Sequence, residues 1–238
     1  MMSKFVKSLL RIISRLIYFL IPVEYRRKSE YNLERKLENA LIEETYNKFH
    51  HHIKRSVLFY DYWSIREHAI KRAVSNDKNN DYFYLEFGVW KGHTANFFSK
   101  FAHKLYAFDS FEGLSEDWAG TDMAQGTFNL NGKPPKLNSN IEPVIGWVDD
   151  TLDDFLKKHN PKINFVHLDM DTYSPTKYTL EKIKPYLVKG AVIVFDELYQ
   201  YNGWEEGEYK ALYEVFNEDE FSYLAFNING VNASIQIN

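Results

Sequence analysis

The sequence predicts an α/β fold of Rossmann-like type. It has a mostly parallel seven-stranded sheet, a closing C-terminal antiparallel hairpin, and an N-terminal helical extension. Three observations carry this. From residue 82 onward, short apolar runs alternate with helical patterns. An acidic, glycine-bearing loop, Glu86-Phe-Gly88-Val-Trp-Lys-Gly92, joins the first of these runs to the first helix. Near the C-terminus, Asn229-Gly230 separates two strand patterns, and that dipeptide favours a tight hairpin turn.

The N-terminal part reads differently. In residues 1–28, Lys4, Lys7, Arg11 and Arg15 recur at spacings of three and four among apolar residues, which puts them on one side of a helix. Arg26, Arg27 and Lys28 follow. The unbroken apolar run after Arg15 falls well short of the roughly 20 residues that span a bilayer, and no small-residue cleavage site follows it. Two readings stay open. The segment is an interfacial helix on an anionic inner leaflet, or it caps the domain or docks a second subunit of a homo-oligomer. Residues 29–80 read as a helical lid or dimerisation region, with Leu33, Leu37, Leu41 and Ile42 on one helix and Tyr62, Ile65, Ala69, Ile70 and Ala73 on another. His50, His51 and His52 are adjacent, so on a helix they diverge and do not converge on one ion. The polar stretch 76–81 breaks the pattern and sets the start of the main domain, 81–238.

Within that domain, strands are expected at 82–87, 104–108, 141–146, 163–169, 191–195, 222–228 and 233–237. Helices are expected at 94–101, 151–158, 176–186 and 206–216. The stretch 113–140, rich in Gly, Asn and Pro, is a long loop that is either mobile or part of a site.

Composition excludes several chemistries. There is no cysteine, hence no disulfide framework, thiolate nucleophile or Cys-ligated zinc. A net charge of −4 and a pI near 6.1 give no global attraction to nucleic acid. These features fit the cytoplasm.

Four motifs carry the chemistry. Glu86, Gly88 and Gly92 lie between a strand and a helix, where glycine admits a ligand close to the backbone. The loop lacks the third glycine of a dinucleotide fingerprint. An acid ahead of it suits a cationic amine, such as the methionine part of S-adenosylmethionine (SAM). Asp109, followed by Ser110, ends the next strand about where an acid reaches ribose hydroxyls. Asp169-Met-Asp171 ends the fourth strand, and Asp196-Glu197 the fifth. Ligands of a doubly wound sheet sit beyond such strand ends. Clustered carboxylates repel unless a cation or protons intervene, and their oxygens suit Mg²⁺, Mn²⁺ or Ca²⁺.

Taken in order, these motifs resemble the macrocin O-methyltransferase (TylF/MycF-type) family of class I SAM-dependent enzymes. The matching pieces are Glu86 to Gly92, Asp109-Ser-Phe-Glu-Gly-Leu114, Gly146-Trp147 with Asp150-Thr-Leu152, Asp169-Met-Asp171, and Gly190 through Asp196-Glu197. The resemblance implies a class I methyltransferase fold and Mg²⁺-dependent methylation of a sugar hydroxyl. It places Asp171, Asp196 and Glu197 at the metal, Glu86 and Gly88 at the methionine moiety, Asp109 at the ribose, and Trp147 or Asp150 at the adenine. Gly92, Ser110 and Asp169 complete the expected cofactor set. The relatives' Asp-Gly-Asp is Asp-Met-Asp here, and their Asp-Asp is Asp196-Glu197.

The expected base is Asp171, with His93 and His167 in reserve. Tyr173, Tyr201 and Trp204 are expected acceptor contacts, and Trp118 is a further one. The acceptor would be a glycan, a nucleotide-linked sugar or a glycosylated natural product. Two rival readings are a non-catalytic SAM- or sugar-binding module of a membrane-associated glycan assembly complex, and a nucleotide-cofactor oxidoreductase.

Overall fold

A computed structural model describes residues 4–22 and 33–238, with side chains described from residue 9 onward in the first segment. Arg26, Arg27 and Lys28 of the basic segment lie outside the described residues. The chain forms two compact units, Met1–Glu44 and Thr45–Asn238.

The first unit contains α1 (Lys4–Leu20) and the beginning of α2 (Leu33–Ile53). No described helix is long and apolar enough to cross a membrane.

The second unit starts within α2, upstream of the polar break at 76–81. It holds β1 (Val57–Phe59), α3 (Tyr62–Asn76), β2 (Phe83–Phe87), α4 (His93–Phe98), β3 (Leu105–Asp109) and β4 (Ile141–Ile145). There follow α5 (Val148–His159), β5 (Ile163–Leu168), α6 (Tyr173–Ile183), β6 (Leu187–Phe195), α7 (Glu208–Val215), β7 (Phe221–Asn227) and β8 (Ala233–Ile237). All seven predicted strands are present. The eighth, β1, sits in a segment that the periodicity reads as helical. It adds a three-residue parallel edge, pairing Val57 with Ala225. Strand order is β1-β7-β8-β6-β5-β2-β3-β4, with β8 antiparallel to both neighbours.

The central strands are apolar because both faces are covered. Every residue of β5 is buried, and so are the last five of β6. Helix α3 begins at Asp61, whose carboxylate accepts from the N–H groups of Trp63 (3.0 Å) and Ser64 (2.9 Å). It lays Ile65, Ala69, Ile70 and Ala73 against the sheet, fully buried. The last turns of α2 insert Phe49 among Tyr199, Trp204 and Phe226.

The order of strands sets the site. After β2 the chain moves outward to β3 and β4, then returns to place β5 on the other side of β2. Ligands of such sheets bind beyond the carboxyl ends of the strands where the order reverses, here between β2 and β5. Register does the rest. Phe87 pairs with Phe108 and Leu168, and Leu168 pairs with Phe195. The next residue on each strand is Gly88, Asp109, Asp169 or Asp196. The four sequence motifs therefore end in one row.

Candidate active site

A cavity of about 340 Å³ opens over this row, within the usual size of small-molecule sites. Its lining takes Gly88, Trp90 and His93 from the glycine loop, Asp109 and Ser110 from β3 and its end, and Trp147 from the start of α5. Asp169, Asp171, Asp196 and Glu197 form one wall. The long loop contributes Leu114, Ser115, Trp118 and Phe128, and α3 contributes Tyr62.

Gly88 is confined to glycine. Its φ is +83°, and a Cβ there would run into the carbonyl of Asp169. That close approach lets the loop lie flat against the end of β5. Asp109 braces the same loop. One carboxylate oxygen accepts from Val89 N (2.7 Å) and Trp90 N (2.8 Å), the other from Phe111 N (2.6 Å). The side chain assigned to the ribose thus also fixes the backbone around it. Gly92 starts α4 with φ +73° and sits behind the loop against Leu137 and Pro135, outside the cavity lining. Asp150 lies in the first turn of α5, exposed, next to the lining residue Trp147.

Glu86 is fully buried beneath the loop and does not line the cavity. Its Oε1 lies 3.1 Å from His167 Nδ1, and the other ring nitrogen of His167 lies 3.2 Å from Asp196 Oδ1. His167 is itself fully buried, packed edge-on against Phe98. It has no access to the cavity from which to act as a base. Burial, then the Arg66 guanidinium, hold His167 well below the usual imidazole range. Burial pushes Glu86 well above the usual carboxyl range. His93 stands exposed at the rim.

The carboxylates gather as the strand register requires. Oxygens of Asp169, Asp171 and Glu197 lie within 4.8 Å of one another, and so do ligand atoms of His167, Asp169 and Asp196. Asp169, read from sequence as a cofactor residue, belongs to both groups. Asp171 adopts φ +62°, a left-handed conformation costly for a non-glycine residue. Burial, then the charges of Asp169 and Asp109, push its carboxyl up to about 8. Burial likewise pushes Asp169 up to about 6.

Two residues of this cluster carry no local signal in the sequence. Arg66, fully buried on α3, pairs with Asp196 and lies over the ring of Tyr62. Glu208, fully buried at the start of α7, accepts from Glu197 N at 3.0 Å, which leaves its Oε1 without a partner. Among the described residues Arg66 is the one buried guanidinium facing Glu86, Asp169, Asp196, Glu197 and Glu208.

Of the expected acceptor contacts Trp118 lines the cavity, whereas Tyr173, Tyr201 and Trp204 do not. Trp204 is 1% exposed and packs on Phe49 and Tyr209. Tyr173 donates to Glu214 on the outer side of α6. Tyr201 stands behind Trp118, ring centroids 5.9 Å apart, with its hydroxyl buried and unpartnered. The aromatic residues that line the cavity include Tyr62, Trp90, Trp118, Phe128, Trp147, Phe87 and Phe108. The long loop is tied to the rest of the domain at several points, with Asn138 and Asn140 bonded to Asn96, Ser99 and Ala102 near its end. Glu116 accepts from the N–H (2.9 Å) and hydroxyl (2.8 Å) of Ser174, and the carbonyl of Gly120 accepts from the Asn202 amide (2.9 Å).

Comparison with known proteins bears on the domain and its fold. A family model described as a methyltransferase domain matches residues 85–198, which contain the glycine loop, Asp109 and both carboxylate motifs. The structure of CalS11, a calicheamicin methyltransferase, aligns with a TM-score of 0.61 at 21% identity, covering 99% of this chain and 94% of that one. An apo structure of CalS11, described as a TDP-rhamnose 3'-O-methyltransferase, aligns at 0.53 and 21% identity, covering 99% and 96%. The O-methyltransferase NovP aligns at 0.53 and 20% identity, covering 74% and 78%. At these identities the likeness is one of fold. No curated protein matches in sequence. Residues 85–198 match a methyltransferase domain, the fold is the class I Rossmann-like methyltransferase fold, and together they support a SAM-dependent methyltransferase.

Proposed function

We propose that the enzyme transfers the SAM methyl group to a sugar hydroxyl with the help of a divalent cation, Mg²⁺ by its donor chemistry. The observation that carries this is the convergence of Asp169, Asp171 and Glu197 oxygens within 4.8 Å at the cavity wall. The residues fit such an ion. Their donors are hard carboxylate oxygens, and Glu197 Oε2 is buried without a hydrogen-bond partner. Asp169, Asp171 and Glu197 would hold it, with Asp196 beside them. When bound, the ion lowers the pKa of a chelated hydroxyl.

The chain's own groups supply the rest. Gly88 and Asp109 shape the loop for SAM, with Trp147 beside the adenine. Asp171, at the cavity wall, is the group assigned to take the hydroxyl proton. Tyr62, Trp90, Trp118 and Phe128 exclude water and offer flat faces to a sugar ring. Methyl transfer needs alignment more than covalent catalysis, which suits a walled cavity. A sugar acceptor is supported by the fold shared with CalS11 and by the Asp109–Leu114 segment typical of macrocin-type enzymes. The acceptor would be a glycan, a nucleotide-linked sugar or a glycosylated natural product.

The test is S-adenosylhomocysteine release with a panel of nucleotide-sugars and glycans, in Mg²⁺ and in EDTA. Release that needs both a sugar and the cation supports the proposal. Full turnover in EDTA removes the metal from it. Turnover only on acceptors without a sugar removes the substrate class.

A further inference from the structure

Helix α1 presents a broad apolar surface. Leu9, Ile12, Ile13, Leu16, Ile17 and Leu20 are all exposed, Leu16 at 59% and Leu20 at 82%. At 3.6 residues per turn these six cover an arc of roughly 140°, opposite Arg11, Ser14 and Arg15. The apolar sequence positions Leu10 and Phe19 widen the arc further. The charge pattern is one-sided. Every charged residue from 4 to 20 is basic, at positions 4, 7, 11 and 15.

Width and charge together select the occupant. A second copy of the helix would use a narrow seam of two positions per heptad, flanked by charges that pair across it. This arc is too wide for that, and α1 has no acid with which a copy could pair. Burial in a bilayer core also fails, because no described helix can span one. An interface with anionic headgroups outside and acyl chains beneath satisfies both faces at once.

We propose that α1 lies in the plane of an anionic lipid surface, with its apolar arc at the acyl boundary and Arg11 and Arg15 among the lipid phosphates. The inference is independent of the acceptor and of the metal, because its readout is binding.

The experiment is flotation of the full-length protein with phosphatidylcholine vesicles, with and without phosphatidylglycerol. Binding should require the anionic lipid and weaken with salt. Neutralising R11Q/R15Q should lower the partition coefficient about 30-fold, from roughly 1 kcal/mol per basic residue near such a surface. I13E/L16E should abolish binding while the melting temperature stays unchanged. Equal binding to pure phosphatidylcholine, or an unchanged coefficient in R11Q/R15Q, overturns the proposal. So does self-association in ultracentrifugation that I13E/L16E abolishes while vesicles remain unbound, since that assigns the arc to a second copy.

Discussion

His167 Nδ1 lies 3.1 Å from Glu86 Oε1, and both side chains are fully buried. The opposite ring nitrogen faces Asp196 at 3.2 Å. A neutral imidazole has one donor and one acceptor, so it satisfies two carboxyl groups only if one of them carries a proton. Burial favours the neutral form of both His167 and Glu86. The consistent arrangement is a protonated Glu86 donating to Nδ1, with Nε2–H donating to Asp196. Glu86→Gln should then keep the melting temperature within a few degrees, because the amide donates in the same place. His167→Ala should cost on the order of 3 kcal/mol, since it strands two buried partners. Thermal unfolding of the two variants checks this. A large loss in the Gln variant would assign the proton to His167.

The carboxylate cluster predicts an unusual pH dependence. Asp171 and Asp169 ionise at roughly 4 in an unfolded chain but are pushed up to about 8 and about 6 in the fold. Between those values the folded state binds more protons than the unfolded one, so stability falls as pH rises. The contribution is complete below the unfolded value and is lost on passing through the folded ones. The melting temperature in EDTA should therefore decline from about pH 5 to about pH 8. Mg²⁺ should restore more at the alkaline end, where fewer protons compete for the ligands. Scanning fluorimetry across pH, with and without Mg²⁺, reads both effects. A flat profile in EDTA would mean the cluster is already neutralised by Arg66.

Asp171 should separate chemistry from cofactor binding. Asp171→Asn should lower kcat at least about 100-fold while SAM affinity, by calorimetry, changes only a few-fold. The asparagine also tolerates the positive φ of this position, so the backbone is undisturbed. A matched loss of SAM affinity would place Asp171 at the cofactor instead.

Two glycines with the same backbone test the close approach of the loop. Gly88 and Gly126 both have φ +83°, but a Cβ at Gly126 meets open space, while at Gly88 it meets Asp169. Gly126→Ala should cost only about 1 kcal/mol, the left-handed penalty. Gly88→Ala should cost more, on the order of 3 kcal/mol, and should abolish SAM binding. Similar melting temperatures for the two variants would show that β5 yields easily.

How far the sequence revealed this molecule depends on where each signal lives. The apolar runs Ile163–Leu168 and Leu187–Phe195 are legible because buried parallel strands need no partner pattern to stand out. The four motif residues at the strand ends are legible because fold topology alone places them in one row. Strand β1 was hidden, since three residues exist as a strand only through the edge of β7. Arg66 and Tyr62 read as an ordinary helix turn, and only the docking of α3 on the sheet turns them toward the cluster. Glu208 is in the same position, since the chain brings it to Glu197 through a loop without periodicity. Trp204 was misplaced for the converse reason. Nearness in sequence to Asp196 says nothing of direction, and its ring packs on Phe49 from a distant helix.

That last contrast gives a direct test of the acceptor wall. Trp204 and Trp118 flank Tyr201 in sequence or space, yet one faces the core and the other the cavity. Trp204→Ala removes a ring enclosed by Phe49 and Tyr209 and should cost roughly 3–5 kcal/mol, read as a fall in melting temperature. Trp118→Ala should leave the melting temperature near wild type, because its ring borders a cavity, and should raise KM for the acceptor. The affinity for SAM should hold, since Trp118 comes from the long loop and not from the row of strand ends. A lowered kcat at unchanged KM would instead make Trp118 a closure residue that acts after binding. The reverse pattern, a stable Trp204 variant with weakened acceptor binding, would return the segment after β6 to the acceptor site.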